Sequence, residues 1–285
     1  MCGIIAYKGR RRDAATLVLK GLKKLEYRGY DSWGIAVKKA QNDIFVYKKT
    51  GKIGEIDLKK LTLPKGEIAM AHSRWATHGG VTDRNAHPHA SCNNRIVVIH
   101  NGIIENYLPL KKNLIKKGHK FVSETDTEVA AHLIEESLKK FKGKISVETF
   151  KNAVQKTLAK LKGRYAFLVM CADCPALIAA RRGSPLIVGK GFDGEYFIAS
   201  DIPAFLEYTN RVMYLDDDEM VVIDGGHEFI NLKTGHKIEK RLIEIKWKAQ
   251  QAEKGAFPHF MIKEITEQKE TIHRALNQDE KLINR

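Results

Sequence analysis

The sequence predicts an α+β fold in which helices pack on antiparallel sheets, and two patterns support this prediction. Apolar residues recur at helical spacing in the first half of the chain, while strand patterns separated by Gly, Asp and Pro turns occur in both halves. Helices and sheets that each carry an apolar face bury it by stacking in layers. With 43% hydrophobic residues among 285, the chain can bury a substantial core.

The elements before residue 73 are one helix and four strands. Asp13 lies near the start of the helix, where the helix dipole favours an acidic group. Gln41-Asn42-Asp43 supplies a polar turn between two of the strands. The predicted helix covers residues 12–26, and the predicted strands cover 4–7, 33–37, 44–48 and 68–72.

The later elements are a buried strand at 95–99 that ends at His100-Asn101-Gly102, three helices and seven strands. The first helix is predicted to end before Gly118. The second covers 129–140 and is capped by Thr125 or Asp126, and the third covers 147–161. The strands are predicted at 165–170, 176–180, 186–188, 196–199, 211–214, 220–223 and 228–231. Because this pattern fades near Thr234, we predict one domain over 1–231 and a linker or arm over 232–285, with a Gly-Ala-Phe-Pro interruption at 255–258.

Composition narrows the classes of partner. The formal net charge of +15 raises nucleic acid as a partner, but the basic residues are scattered in pairs without an aromatic-interleaved stripe, so we interpret them as solvated faces. No apolar run approaches the roughly 18 residues that span a bilayer. We therefore expect a cytoplasmic protein that contacts neither membrane nor nucleic acid.

Cysteine and histidine patterns do not predict a metal. Cys171-Ala172-Asp173-Cys174 is a single CxxC that precedes a Pro, which favours a hairpin turn over a redox or metal role. Residues 73–89 are rich in Gly, Thr, Asn and His and form a polar loop, where a functional site would lie. His78, His87 and His89 of this loop lack a metal-binding spacing and a companion carboxylate, so we expect no metal and no cofactor.

Cys2 has two interpretations. It could be a buried cysteine at the start of a strand, since free cysteine usually behaves as a small hydrophobe. If Met1 is removed, however, Cys2 carries a thiol and a free α-amine, so that one residue supplies both nucleophile and general base. Gly3 then lets substrate approach closely beside the nucleophile.

Six motifs in order decide between these interpretations. They are Cys-Gly-Ile-Ile at 2–5, Leu-Glu-Tyr-Arg-Gly-Tyr-Asp-Ser at 25–32, Arg-Trp-Ala-Thr-His-Gly at 74–79, Asn-Ala-His-Pro-His at 85–89, His-Asn-Gly-Ile-Ile-Glu-Asn at 100–106 and Glu-Thr-Asp-Thr-Glu at 124–128. With them the chain resembles the class II (N-terminal nucleophile) glutamine amidotransferases over most of residues 2–231. The family's linker pattern continues to about Gln268, where Lys269 replaces the usual Pro.

The resemblance implies a four-layer αββα sandwich of two antiparallel sheets and assigns roles to ten residues. Cys2 is the nucleophile, and the Asn101 side chain with the Gly102 backbone N–H forms the oxyanion hole, where each donor contributes about 2.7–4 kcal/mol. Arg74 offers a planar fork to the substrate carboxylate and Asp126 a charge to its ammonium, although a surface ion pair and a helix cap are the alternatives. The remaining roles are pocket wall and lid for Trp75, Thr77 and His78, and loop orientation for Arg28 and His87.

The resemblance also implies an activity and partners. It is greatest to glutaminase domains that hydrolyse L-glutamine through a Cys2 thioester and supply ammonia for glucosamine 6-phosphate synthesis from fructose 6-phosphate. The partner would be an isomerase domain or subunit, through which we expect an oligomer; the chain would be an excised domain or a separate subunit. The alternatives are a module of another ammonia-using synthase and a non-catalytic docking protein on the same fold. Trp33 stands where the family more commonly has a small residue.

Overall fold

Two antiparallel sheets, one of eight strands and one of seven, form the centre of this computed structural model, which describes residues 2–39, 42–139, 141, 143–246, 257 and 260–276. The strands are β1 Gly3–Lys8, β2 Ser32–Lys39, β3 Asp43–Thr50, β4 Ile68–Arg74, β5 His89–Ala90, β6 Ile96–Ile104, β7 Gly163–Cys171, β8 Leu177–Arg182, β9 Ile187–Lys190, β10 Tyr196–Ala199, β11 Arg211–Tyr214, β12 Glu219–Ile223, β13 His227–Asn231, β14 Lys237–Ile238 and β15 Ile243–Glu244. The helices are α1 Ala14–Lys24, α2 Tyr107–Lys116, α3 Glu128–Leu138, α4 Val147–Leu158 and α5 Phe260–Leu276.

Strand order places the start of the chain in the middle of a sheet. The eight-stranded sheet has the order β15-β11-β9-β10-β1-β4-β2-β3, and the seven-stranded sheet has the order β14-β13-β12-β8-β7-β6-β5. β1 pairs with β10 on one side and with β4 on the other, in a register that sets Gly3 opposite Ser73. Cys2 is therefore held between neighbouring strands, beside the point where β4 ends.

The layers stack as the resemblance implies. Facing side chains of the two sheets form a central core that includes Ile4 of β1 and Ile99 of β6. Alternate residues of β6, such as Val98, face the opposite way and pack with α3 and α4 in a second core. α1 packs on β1, β2 and β4. The order α1, sheet, sheet, helices α2–α4 confirms the predicted α+β class and its αββα sandwich.

One strand boundary differs from the prediction in a way that matters for function. The strand expected at 95–99 continues as β6 to Ile104, because Asn101 and Gly102 pair with Ala166 and Tyr165 of β7. The motif after residue 99 is therefore held in a sheet ladder instead of lying in a loop. The CxxC motif spans the turn of the β7–β8 hairpin, as predicted: Cys171 is the last residue of β7, and Cys174 lies in the connection to β8.

The chain divides into two units, one ending at Lys246 and the other running from Trp247 to Arg285. Beyond residue 231, where we placed the domain boundary, β14 pairs with β13 and β15 pairs with β11. In the second unit α5 forms a helix, whereas the 255–258 interruption lies outside the described residues except for Phe257. None of the described helices combines the length and apolar character needed to cross a membrane.

Close packing of α1 on β1 generates a prediction about Gly21. A Cβ at Gly21 would lie 2.3 Å from Ile5 Cδ1 and 2.5 Å from the Ala204 carbonyl oxygen. Alanine gains about 0.8–1.0 kcal/mol of helix propensity over glycine, but overpacking costs about 1–3 kcal/mol. Because the Ala204 carbonyl is backbone and cannot move aside as a side chain can, the cost lies toward the upper end, and we expect Gly21→Ala to lower the free energy of unfolding in urea by about 1–2 kcal/mol. The exposed neighbour Lys20 provides the control, since Lys20→Ala should change it by less than about 0.5 kcal/mol; a stabilised Gly21→Ala protein would contradict this packing.

Candidate active site

A cavity of about 310 Å³ lies beside Cys2, where β1 begins and β4 ends. All ten residues predicted for the site line it: Cys2, Arg28, Arg74, Trp75, Thr77, His78, His87, Asn101, Gly102 and Asp126. Six lining residues were not predicted: His100, Ile103, Thr125, Thr127, Ser184 and Pro185. The ten predicted residues come from six separate stretches of the first half of the chain and meet in one cavity beside the Cys2 thiol.

The Cys2 thiol is held by the loop that follows β4. The Trp75 backbone N–H donates to Cys2 Sγ at 3.2 Å, and Arg28 Nε donates to the Cys2 carbonyl at 3.2 Å. Burial raises the pKa of the Cys2 thiol, an effect opposed by the Trp75 N–H and by the charges of Arg74 and Arg28. Because burial prevails, the resting group is the thiol, which needs a nearby base to become a nucleophile.

The Asn101 amide is oriented on both sides. Its Nδ2 donates to the Cys2 carbonyl at 2.8 Å, and its Oδ1 lies 3.1 Å from His72 Nε2. His72 Nε2 is also 3.1 Å from the His100 carbonyl oxygen, and since both neighbours are acceptors, this nitrogen carries the proton. Burial lowers the pKa of His72 to about 3, so the ring is a neutral donor that fixes the amide with its NH₂ toward Cys2.

Gly102 is required by its surroundings. Its φ is +134°, and a Cβ there would lie 2.0 Å from the Arg164 carbonyl oxygen of β7. No side chain fits this position without moving the backbone of the sheet. The backbone of Gly102 therefore faces the cavity uncovered, next to Asn101.

Arg74 makes contacts that the sequence did not suggest. The side chain is buried, and its guanidinium donates to the carbonyls of His78, Gly79 and Gly80, the latter two at 3.2 and 3.1 Å. A surface ion pair, the alternative for this residue, is therefore wrong. Arg74 holds the 78–80 loop over the cavity, and since a guanidinium has five N–H groups, donors remain for a carboxylate.

Asp126 is anchored to β6. Its Oδ2 accepts a hydrogen bond from the Ile104 backbone N–H at 2.7 Å, and its side chain is buried. The predicted cap by Thr125 or Asp126 is wrong, because Thr127 occupies the N-cap position of α3 and makes no side-chain capping bond. The Asp126 carboxylate instead contributes a fixed negative charge to the cavity wall.

Buried histidines contact two threonines, Thr125 and Thr127, that line the cavity. His87 Nε2 and His100 Nδ1 both contact Thr127 Oγ1, at 3.0 and 2.9 Å, while the His87 ring stacks on His72 with 4.1 Å between centroids. His89 Nε2 lies 3.0 Å from Thr125 Oγ1. Burial lowers the pKa of His87, His89 and His100, so these rings are neutral and pack like aromatic side chains.

The outer rim is the most exposed part of the site. Trp75 is 47% exposed and packs against Tyr30 with 5.7 Å between ring centroids. The loop behind it is tied down by the Ala76 N–H, which donates to Asp31 Oδ2 at 2.8 Å. Trp33 is buried and packs on Tyr47 with 5.6 Å between ring centroids. Trp75, Thr77 and His78 thus form the exposed outer edge of the cavity.

Comparison with known sequences points to one family. A family model described as the glutamine amidotransferase domain matches residues 72–207. Over 280 residues the chain is 50% identical to the glutamine–fructose-6-phosphate aminotransferase (isomerizing) of Pyrococcus horikoshii, and over 273 residues 49% identical to that of Methanococcus maripaludis. These alignments cover 97% and 94% of this chain but 45% of each relative. The chain therefore spans less than half the length of the curated relatives it matches.

Solved structures agree with the sequences. The glutamine phosphoribosylpyrophosphate amidotransferase of B. subtilis superposes with a TM-score of 0.67 and 30% identity, over 82% of this chain and 50% of that one. A structure described as the allosteric regulatory enzyme of purine biosynthesis gives a TM-score of 0.68 and 31% identity, over 82% and 49%. With the αββα layers and the six motifs, these matches show that the chain belongs to the class II (N-terminal nucleophile) glutamine amidotransferases.

Proposed function

We propose that this chain hydrolyses L-glutamine to glutamate and ammonia with Cys2 as the nucleophile. The observation that carries the proposal is the convergence of the predicted residues on one cavity around the Cys2 thiol. A nucleophile, a pair of donors beside it and groups of both charges within one cavity are what amide hydrolysis of an amino acid requires.

The first step makes a thioester. Once Met1 is removed, the α-amine of Cys2 accepts the thiol proton and Sγ attacks the side-chain carbonyl carbon of glutamine. The Asn101 Nδ2–H and the Gly102 N–H stabilise the oxyanion. The C–N bond then breaks, and the protonated α-amine returns the proton so that ammonia leaves. Water next attacks the thioester with the amine as base, which frees glutamate and restores the thiol.

Substrate binding uses the two charged side chains of the cavity, Arg74 and Asp126. Arg74 contacts the α-carboxylate with its remaining N–H groups, and Asp126 contacts the α-ammonium. Trp75, Thr77 and His78 close over the bound amino acid. Arg28 and His87 act indirectly, because Arg28 holds the Cys2 carbonyl and His87 packs behind Thr127.

The ammonia serves glucosamine 6-phosphate synthesis from fructose 6-phosphate in an isomerase domain or subunit, through which the protein assembles as an oligomer in the cytoplasm. Support comes from the names of the curated relatives, which are 46–50% identical over nearly the whole chain. The alternative is that the ammonia is used to make phosphoribosyl amine. The 30% identity to the phosphoribosylpyrophosphate amidotransferase, lower than the 46–50% identity to the curated relatives, disfavours it. Glutamate release should rise when fructose 6-phosphate and an isomerase chain are added; a response to phosphoribosylpyrophosphate instead would contradict this assignment.

Cys2→Ala should abolish glutamine hydrolysis without unfolding the protein. Removal of an essential nucleophile costs more than about 10³-fold in kcat, because what remains is the oxyanion hole and binding. Glutamate release and circular dichroism measure the two properties. Cys174→Ala changes a cysteine that does not line the cavity and should retain activity; Cys2→Ala turnover within tenfold of wild type would refute the nucleophile.

Asn101→Ala should lower kcat far more than it raises KM. Loss of one oxyanion donor costs about 10²–10³-fold in kcat, since the interaction strengthens only as charge develops on the oxygen. Asn106→Ala is the matched control, because the Asn106 amide bonds the Lys160 carbonyl outside the cavity. Steady-state kinetics decide: a change confined to KM would mean that Asn101 binds substrate without acting on the oxyanion.

The active protein should begin at Cys2. Met1 lies outside the described residues, but while it is attached the nitrogen of Cys2 is an amide, which has no basicity near neutral pH. Cys2 would then lack its internal base. Intact-mass spectrometry of an active preparation tests this. A fully active sample whose mass includes Met1 would show that another group is the base.

A further inference from the structure

Four potential metal ligands converge at a place that the proposed reaction does not use. Cys92 follows β5, His119 lies in the connection between α2 and α3, and His132 and Glu135 lie on α3. One ligand atom from each lies within 4.8 Å of all the others. None of the four lines the cavity beside Cys2.

The distances fit a tetrahedral ion. His119 Nδ1 and His132 Nδ1 are 3.3 Å apart, and Cys92 Sγ lies 3.8 and 3.6 Å from them. Glu135 Oε2 lies 3.0 Å from His119 Nδ1 and 3.6 Å from His132 Nδ1. Tetrahedral zinc with its usual bond lengths separates two nitrogens by about 3.3 Å and a nitrogen from a sulfur by about 3.6 Å. The two imidazole nitrogens and the sulfur are therefore spaced as zinc would space them, and the Glu135 oxygen lies within 4.8 Å of all three.

The far sides of both imidazoles meet carboxylates. His119 Nε2 lies 3.0 Å from Glu136 Oε2, and His132 Nε2 lies 3.4 Å from Glu128 Oε1. Lys139 Nζ also lies 3.0 Å from His119 Nε2 and 3.1 Å from Glu136 Oε2, so it shares that carboxylate with the ring. With a ring N–H donated to each carboxylate, both Nδ1 lone pairs point at the centre. This is the second layer that orients metal-bound histidines. Two lone pairs 3.3 Å apart repel unless a proton or a cation lies between them.

Backbone N–H groups hold the other two candidate ligands, Cys92 and Glu135. The Lys120 backbone N–H donates to Cys92 Sγ at 3.3 Å. The Cys92 and Asn93 N–H groups donate to the two oxygens of Glu135, at 3.4 and 3.2 Å. Both imidazoles are fully buried, and Phe121 packs on His132 with 4.4 Å between ring centroids. The centre is therefore shielded from water on the helix side.

We propose that Cys92, His119, His132 and Glu135 bind one Zn²⁺ ion. A thiolate, two imidazoles and one carboxylate suit zinc, whereas magnesium and calcium prefer oxygen ligands throughout. Four protein ligands leave no open position, which marks a structural site. The ion ties the segment after β5 and the α2–α3 connection to α3. The residues directly before α3 include Asp126, so the ion stabilises that wall of the cavity.

The positions of the four residues along the chain could not indicate this site. The expectation of no metal rests on the 78–89 loop and the CxxC pair, and neither contains any of the four. Cys92 and His119 are 27 positions apart and His119 and His132 are 13 apart, whereas His132 and Glu135 follow the i,i+3 spacing of one helix turn. A metal-free network is the competing explanation. Although burial opposes it, the hydrogen bonds that His132 donates to the Glu128 and Glu135 carboxylates raise the pKa of His132, which favours an imidazolium there.

Metal content and cobalt spectroscopy test the proposal on the full chain. Protein expressed in medium with zinc and purified without chelator should contain about one zinc ion per chain, measured by inductively coupled plasma mass spectrometry. Chelation should lower the midpoint of thermal unfolding, and added zinc should restore it. Exchange for Co²⁺ should produce tetrahedral d–d bands and a sulfur-to-cobalt charge-transfer band. Cys92→Ala should lose the charge-transfer band, while His236→Ala, a change at an exposed histidine outside the cluster, should keep it.

The wild-type measurements keep the proposal falsifiable even if Cys92→Ala fails to fold. Less than about 0.1 zinc per chain together with no cobalt spectrum would overturn it, and would leave the protonated His132 network as the explanation. A charge-transfer band unchanged in a folded Cys92→Ala protein would also overturn it, because the sulfur ligand would then come from another cysteine.

Discussion

The hydrogen bond from Asn101 Nδ2 to the Cys2 carbonyl joins the two sheets at the point where the site is built. β1 belongs to the eight-stranded sheet and β6 to the seven-stranded one, so this bond fixes Cys2, directly before β1, against Asn101 and Gly102 of β6. Both partners of this bond are held in place, because β1 is paired with a strand on each side and β6 is paired with β7 as far as Ile104. The geometry of the site is thus a consequence of sheet packing.

Other parts of the site are arranged around that link. His72 lies on β4, the neighbour of β1, and its single ring proton orients Asn101. Arg74 ends the same strand and holds the 78–80 loop through backbone carbonyls. Rigid strands therefore position Cys2, Asn101 and Gly102, while the exposed rim of the cavity at Trp75, Thr77 and His78 lies on a loop, where binding residues often occur.

Local patterns predicted the elements well because nearly every strand and helix carries its own apolar period. The continuation of β6 past residue 99 was missed, since its pairing with β7 depends on a partner more than sixty positions away. His72 was missed because a histidine inside a strand pattern has the same local signal whether it orients an amide or only packs. The contacts of Arg74 with its loop, and the cluster around Cys92, also arise from distant segments meeting in space. Ordered motifs found the cavity residues, whereas spacing alone could not find the cluster.

Covalent labelling with a glutamine analogue that carries an electrophilic carbon at the end of its side chain tests the central claim most directly. The protein has four cysteines, so peptide mass mapping shows which thiol the bound analogue meets. Our account predicts one adduct per chain, located on Cys2 and prevented by excess L-glutamine. An adduct on Cys92, Cys171 or Cys174 that glutamine prevents, or labelling of Cys2 that glutamine does not slow, would contradict it.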